Sequence, residues 1–457
     1  MGWHELADTI VARVLLAAVS GPHDVSVLMS LERRIRHLVQ AASWRKAAAH
    51  AYLGQGLCAA LLLKSSRSEP DWKALVQRAS QGHFCCTPAP ELSGPRSDRS
   101  GHAAVLLKSS LLVIFGGVRR PTADSDLEHA QAIAELAVMD LEHLRWLSVN
   151  ESTDWQSGPS TPLPRWKPTL TDNSFASACL VGGQTYDGPG KVSFFSEVWQ
   201  LNCGNVDASN GALACEWRPM TLSGCHFPAR SCHTAVRADC GVLVLGGVGA
   251  EGHVLPCEAY CLQGSEWTLP SQSGLLPPQG AVHHACHFQG MLVLVGGVDD
   301  AGLQRRGLGR PTDVYVLDLN TWIWERLLRH PLSPSLHSFS AMLVFGSRLF
   351  IFGGNSACAG GKSDFESIAI FDMKHLATTS ACPGQARQAQ WSQGAAVGIS
   401  SQVVGHTLAG GVLLGGNHRT DGKVSRTSVS LFWPHIKVQQ AQSSGTRKPG
   451  APRWFKR

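Results

Sequence analysis

The densest set of chemically capable side chains in this chain is His283, His284, Cys286 and His287, with Cys257 and Cys261 close by in sequence. Imidazoles and thiolates are the usual zinc ligands, and four must converge on one point. These six do not have that spacing. Neighbours along a strand point to opposite faces, so a run of four consecutive-register residues splits into two pairs. They are read as core or strand-end residues, and no metal site and no cofactor is expected. Single histidines recur elsewhere in a fixed frame: Ser100-Gly101-His102, Ser231-Cys232-His233, Val282-His283-His284, Leu336-His337-Ser338 and Gly405-His406-Thr407. A side chain repeated in register serves the repeat, and these histidines are expected to hydrogen-bond backbone at the ends of repeated elements. Arg99 and Arg230 each stand three residues before such a His, where a guanidinium could meet a carboxylate. The same position holds Gly280, Pro334 and Val403 in other units, so no full arginine ring exists. No Gly-x-Ser-x-Gly elbow, P-loop or dinucleotide fingerprint is present, and no catalytic residue is assigned.

The elements that would position these groups are short strands ending in glycine pairs. LLVIFGG closes on Gly116-Gly117, ACLVGG on Gly182-Gly183, VLVLGG on Gly246-Gly247, MLVLVGG on Gly296-Gly297, LFIFGG on Gly353-Gly354 and GVLLGG on Gly415-Gly416. The intervals are 66, 64, 50, 57 and 62 residues. Apolar runs of four to six residues bounded by glycine predict strands buried on both faces. Upstream of each pair comes the short His-led strand; in the second unit Ser174-Phe175 takes that place. Downstream comes an alternating strand and then a Trp, as in Asp313–Asp318 leading to Trp324. The alternating strand should bury one face, and the Trp should plug the gap between neighbouring units. Such a unit cannot cover its own faces, so several must close into a ring.

This pattern resembles the kelch repeat, whose unit joins a Gly-Gly doublet to a distant Tyr and Trp. Tyr260 and Tyr315 stand at the Tyr position; Ala137, Trp199, Ala369 and Val429 lie at or near it in other units. The resemblance implies a mainly β fold: a six-bladed propeller over 95–436, preceded by a small α-helical domain at 1–80 and a linker at 81–94. A basic tail at 437–457 is expected to be disordered. In kelch substrate receptors, arginines near the Arg99 and Arg230 register line a central pocket that meets acidic peptides. Loops such as 118–132 and 184–196 are plausible seats of specificity. Kelch enzymes are a poor match. Four tyrosines do not suit a copper-radical oxidase, and no Glu-x-x-x-Asp-x-x-x-His run provides an iron site.

Residues 1–80 read as helical. Leu6, Ile10 and Val14 share one face; Asp24 caps a second helix whose face is Val25, Leu28, Leu31, Ile35 and Leu38. Asp24-Val25 and the closing Trp44-Arg45 resemble an F-box, although Ala7 stands where that family has Pro. The resemblance implies that Leu6, Ile10, Leu28, Leu31, Ile35, Leu38 and Trp44 form a seam for a Skp-type adaptor of a cullin ubiquitin ligase, the propeller holding a substrate protein or peptide. The alternatives are a kelch scaffold with no ligase link, its N-terminus a cap on the rim, or a propeller enzyme.

Composition points to no particular partner. Forty basic and 34 acidic residues give a net charge of +6, too mild an excess to point to nucleic acid. The 14 cysteines lack a repeating spacing and are read as free thiols in the cytoplasm or nucleus. The apolar run at 9–19 is interrupted by Arg13 and lacks a basic leader, so it is read as a helix rather than a signal peptide. No apolar stretch nears the ~20 residues that span a bilayer.

Overall fold

The structure is a computed structural model. It describes residues 81–434 except 82, 90–91, 93–95, 97, 120–130, 153–160, 189–190, 208, 299–311, 331–339, 353–366, 379–386, 398–401, 405–406, 410–411, 415–416, 421–422 and 427–429. The expected helical domain with its seven seam residues, the tail, and the last two glycine pairs (Gly353, Gly354, Gly415 and Gly416) lie outside the described residues.

The described chain is mainly β, and its strands form a propeller. The first sheet is Ala103–Leu107, Leu111–Phe115, Leu136–Asp140 and Arg145–Trp146, running outward from the channel in chain order. The second is Thr169–Asp172, Ser177–Val181, Val198–Val206 and Ala212–Pro219; the third is Thr234–Ala238, Gly241–Leu245, Tyr260–Gln263 and Glu266–Thr268; the fourth is His284–Phe288, Met291–Val295, Val314–Asp318 and Ile323–Arg326. Sheets two to four each gain an outer strand that pairs in parallel: Ser148–Ser152, Ser223–Gly224 and Ser273–Gly274. All three come from the link between units, so each link also extends the sheet that follows it.

Five large sheets are present rather than the expected six. The fifth has eight strands, from Ala341–Phe345, Arg348–Phe352, Ser367–Asp372 and Trp391–Val397 through β1 (His83–Pro88) to Ser430–Pro434, Val412–Leu414 and Thr407–Ala409. The main strands of the last unit, Thr407–Ala409, Val412–Leu414 and Ser430–Pro434, do not stand as a separate sheet, because β1 lies parallel to Trp391–Val397 on one side and antiparallel to Ser430–Pro434 on the other; Asn417–Thr420 and Lys423–Arg426 form a small sheet of their own with Gln402–Val404. β1 belongs to the stretch expected to be a linker; it is a strand that ties the start of the propeller to its end. The ring closes where Thr407–Ala409 meets Ala103–Leu107.

Packing follows the repeat. Trp217 of the second sheet lies against Phe115 of the first, ring centroids 4.9 Å apart. Trp267 joins the apolar layer formed with Cys179, Val181 and Val198 of the second sheet, and Trp324 the one with Leu243 and Leu245 of the third. Each tryptophan thus plugs the gap to the preceding sheet, as the sequence predicts. The third strands vary: Val198–Val206 alternates over part of its length as expected, whereas Leu136–Asp140 is buried throughout rather than on one face. One apolar layer covers Leu136 and Val138 and another covers Met139, so both faces of this strand are packed.

Candidate recognition face and central channel

The second unit sets the register of the face. Its innermost strand is Thr169–Asp172, and Pro168 occupies the place of the repeated His. Ser174-Phe175, expected there, instead forms the turn before Ser177–Val181. The corresponding arginine is therefore Arg165, which sequence spacing missed because Pro168 replaced the marker histidine. Arg99, Arg165 and Arg230 form one series. Their guanidiniums donate to the carbonyls of Gly116, Gly182 and Gly246 at 3.2, 3.1 and 3.0 Å. All three are buried. Arg99 also meets Glu135 at 3.1 Å, Arg165 pairs with Glu197, and Arg230 lies over the rings of Phe227 and Tyr260. Burial pulls Arg99 down to about 10, opposed by Glu135, and does the same to Arg230, opposed by Tyr260. Arg99 and Arg230 were expected to reach a ligand; they lie beneath the surface, where Arg99 donates through Nη1 to the Gly116 and Glu135 carbonyls and Arg230 through Nε and Nη1 to those of Pro228 and Gly246.

The glycine pairs work together with these arginines. A Cβ on the first glycine would strike the next unit: at Gly116 the carbonyl oxygen of Arg165 lies 2.5 Å away, and at Gly182 that of Arg230 is equally close. The second glycine of each pair then donates its N–H to that same oxygen, Gly117 to Arg165 at 2.8 Å, Gly183 to Arg230 at 2.9 Å and Gly247 to Gly280 at 2.9 Å. Two residues further along, a second set of backbone bonds links the units: Lys167 N–H to Gly101 O, Cys232 to Lys167 and Val282 to Cys232, at 2.6, 3.3 and 2.9 Å. These four residues have φ between 53° and 65°, a region costly for side chains other than glycine. The strain is tolerated because each joins two sheets, and the side chains of Lys167, Cys232 and Val282, all half-buried, rim the channel on this face.

Above the rim stand the links between second and third strands. In the second unit a hairpin, Gln184–Gly188 with Lys191–Phe194, rises from the face. Tyr186 stacks on Trp166 at 5.7 Å, whose ring also carries the Lys167 ammonium at 4.7 Å. Phe194 packs with Val248, Val254, Ala281, Cys232 and Val282, which anchors the hairpin across the third and fourth units. Arg119 and Glu135 form a partly exposed ion pair at 2.9 Å in the first unit.

The histidines are structural, but their partners are side chains of neighbouring units rather than backbone. His233 Nε2 bonds Thr169 Oγ1 at 2.8 Å, His283 Nε2 meets Cys257 Sγ at 3.2 Å, and His284 Nε2 bonds Ser340 Oγ at 2.6 Å. Burial lowers all three, His233 to about 3 and the other two to about 4, with Arg230 adding to the effect on His233 and His284 to that on His283. His287 and Cys286 are carried to the opposite mouth, where the channel widens into a cavity of about 700 Å³ lined by Thr171, Asp172, Arg237 and Asp239 among others. Arg237 pairs there with Asp172 at 2.9 Å. Among the described residues no cluster of three or more His, Cys, Asp or Glu could hold a metal ion.

A family model described as the KLHDC2/KLHL20/DRC7 Kelch-repeats domain matches residues 101–354 and again 259–421. The chain belongs to this kelch-repeat family. Kelch propellers of this kind are typically non-enzymatic. The chain is 24% identical over 441 residues to Adagio-like protein 1 of Oryza sativa subsp. japonica, covering 90% of this chain and 62% of that protein. It is 25% identical over 125 residues to Kelch domain-containing protein 3 of Homo sapiens, covering 27% of this chain and 31% of that one. The chain thus spans less than two thirds of the curated relatives it matches.

Proposed function

We propose that this kelch protein is a substrate-recognition subunit of a cullin-type ubiquitin ligase, with the propeller binding a substrate protein and residues 1–80 engaging a Skp-type adaptor. The observation that carries the recognition half is the division of labour on the glycine-pair face. Buried arginines, glycine turns and the ring of backbone bonds make its floor rigid, while the links above it differ from unit to unit. A rigid floor under variable loops is how repeat scaffolds bind partners. Contact with the substrate falls to the half-buried Lys167 on the rim, to the partly exposed Arg119 and Glu135 and the exposed Glu197, and to the 184–196 link above them. Arg99 and Arg230 act through the turns they hold.

One observation supports the ligase half. Kelch proteins of the matching family are associated with substrate recognition for ubiquitin ligases. The protein would then do no chemistry itself; it would raise the substrate's effective concentration beside the transferring enzyme.

The test is a pull-down with full-length protein, wild type against Leu28→Asp/Leu31→Asp. Recovery of adaptor and cullin by the wild type and their loss in the variant, with the propeller's circular dichroism unchanged, supports the reading. A well-folded wild type that recovers neither rejects it and leaves a kelch scaffold without a ligase link.

A further inference from the structure

The second sheet holds two thiols in contact. Cys203 and Cys215 face each other across the strands Val198–Val206 and Ala212–Pro219, with Sγ atoms 3.5 Å apart. We propose that they are a reversible redox modification site, closing to a disulfide when a hydroperoxide reaches them.

The backbone geometry allows the bond. Cys203 donates its N–H to Ala176 O, on the inner side of its strand, so it makes no ladder bond with Cys215. The two therefore form the narrow type of antiparallel pair, with Cα atoms about 4.5 Å apart, inside the 4.4–6.8 Å range that disulfides span. The sulfurs must approach by about 1.5 Å to reach bonding distance, within reach of small side-chain rotations. A register shift between Cys203 and Val206 loosens the ladder on one side of the pair. Both residues are buried, yet each is flanked by an exposed neighbour, Gly204 and Ala214, so the sulfurs lie one backbone layer below solvent.

The surroundings also separate the roles of the two sulfurs. Lys108 reaches over from the first sheet and donates to Gly204 O at 2.6 Å and Asn205 Oδ1 at 2.9 Å, which sets an ammonium beside Cys203. The hydrogen bond from Cys215, with help from Lys108, holds the Cys203 thiol below its ordinary value; Cys215 is pushed up, first by that same bond. Cys203 is thus the attacking sulfur. Its thiolate attacks the peroxide, an S–O bond forms, the O–O bond breaks, and the departing hydroxide is protonated to water. Cys215 then attacks the sulfenic sulfur, the S–S bond forms, and the oxygen leaves as a second water. Two thiols and one hydrogen peroxide give one disulfide and two waters, and a dithiol reductant reverses the change.

Among the described residues Cys240 and Cys261 are a second pair of neighbouring thiols, but no ammonium stands beside them and the Cys261 thiol is pushed up to about 12, first by burial. Burial pushes Cys257 and Cys286 up to about 12, and the Cys261 thiol donates to the Cys240 carbonyl at 3.3 Å. A disulfide at 203–215 would fasten the outer hairpin of the second sheet inside the apolar layer shared with the first, where both cysteines pack with Leu201, Leu213, Trp217 and Phe115.

The test uses reduced full-length protein treated with dilute hydrogen peroxide, quenched by an alkylating reagent, and mapped by mass spectrometry without reduction. The expected product is a 203–215 cross-linked peptide, lighter by two hydrogens and released by dithiothreitol. In Cys215→Ser, Cys203 should accumulate as a sulfenic acid trapped by dimedone. If folded wild type keeps both cysteines alkylatable after denaturation while the exposed Cys225 is oxidised, the proposal fails. It fails equally if the cross-link forms only in urea-unfolded protein.

Discussion

Replacing Gly247 with alanine should destabilise the propeller far more than replacing Gly252, although both glycines are left-handed. Gly252 has φ +79° and nothing within 4 Å of an added Cβ. Its variant meets only the conformational cost, about 1–2 kcal/mol, offset by about 0.4–1 kcal/mol from a stiffer unfolded chain. Gly247 has φ +101°, and its Cβ would lie 2.6 Å from the Ser231 carbonyl oxygen and 2.9 Å from His233 Cβ. The first of these is backbone and cannot rotate away. Relief requires moving Ser231, which strains its pairing with Val248, or moving Gly247, which strains its bond to Gly280. Two or three backbone bonds at about 1 kcal/mol each, added to the conformational cost, give about 4 kcal/mol. For a domain of this size, about 2 °C per kcal/mol turns that into a fall in Tm of about 8 °C, against about 0–3 °C for Gly252→Ala. Thermal unfolding of both variants followed by circular dichroism measures it. Equal losses at the two sites would refute the argument that the doublet exists to let neighbouring backbones close, and would leave conformational freedom as its only role.

Three further outcomes are expected. Arg230→Met keeps the stem but strands the Gly246 and Pro228 carbonyls, and should cost about 2–4 kcal/mol by denaturant unfolding; a change below 0.5 kcal/mol (roughly the size of a surface substitution) would show that the buried guanidinium is dispensable. Trp324→Ala removes the plug against the third sheet and leaves Gln272 Oε1 with only the Ala259 N–H of its two donors, for a loss of about 3–5 kcal/mol; an unchanged denaturation midpoint would contradict the packing described. His233, His283 and His284 are held neutral in the fold, with values of about 3, 4 and 4, below an unfolded value near 6.5. Unfolding therefore takes up protons between these values, so their contribution is complete above about pH 6.5 and is lost as pH falls toward 4. A denaturation midpoint that is no lower at pH 5 than at pH 7, or one equally pH-dependent in His233→Gln, would count against the burial argument.

The repeat was legible because its physics is local. A glycine pair after an apolar strand and a Trp some thirty residues on are both short-range consequences of one crowded geometry, and they located the sheets. The second unit misled because its marker residue was absent: Pro168 fills the space of His102 and His233, and with the wrong anchor Arg165 passed unnoticed. The role of Arg99 and Arg230 was not legible either. A basic residue near a channel looks like a ligand group, and only the position of the Gly116 and Gly246 carbonyls shows where its donors go. β1 was missed for a different reason. His83–Pro88 carries two cysteines and a proline but no glycine punctuation, and its partners lie more than 300 residues further along the chain. The pairing of Cys203 with Cys215 was equally hidden, since sequence spacing does not report the register of a hairpin.

The position of β1 also sets a timetable for the nascent chain. Its two partners end at Val397 and Pro434, so on the ribosome β1 must wait while some 350 residues are made. At about 5–20 residues per second that is roughly 17–70 s, during which a strand built to be paired on both edges has neither neighbour. The early sheets can stack on one another in that interval, but the arc they form stays open. Release of the last strand from the exit tunnel is then the event that commits the ring, and an exposed β1 is the segment for which a chaperone, or a second unfinished copy, would compete until it happens.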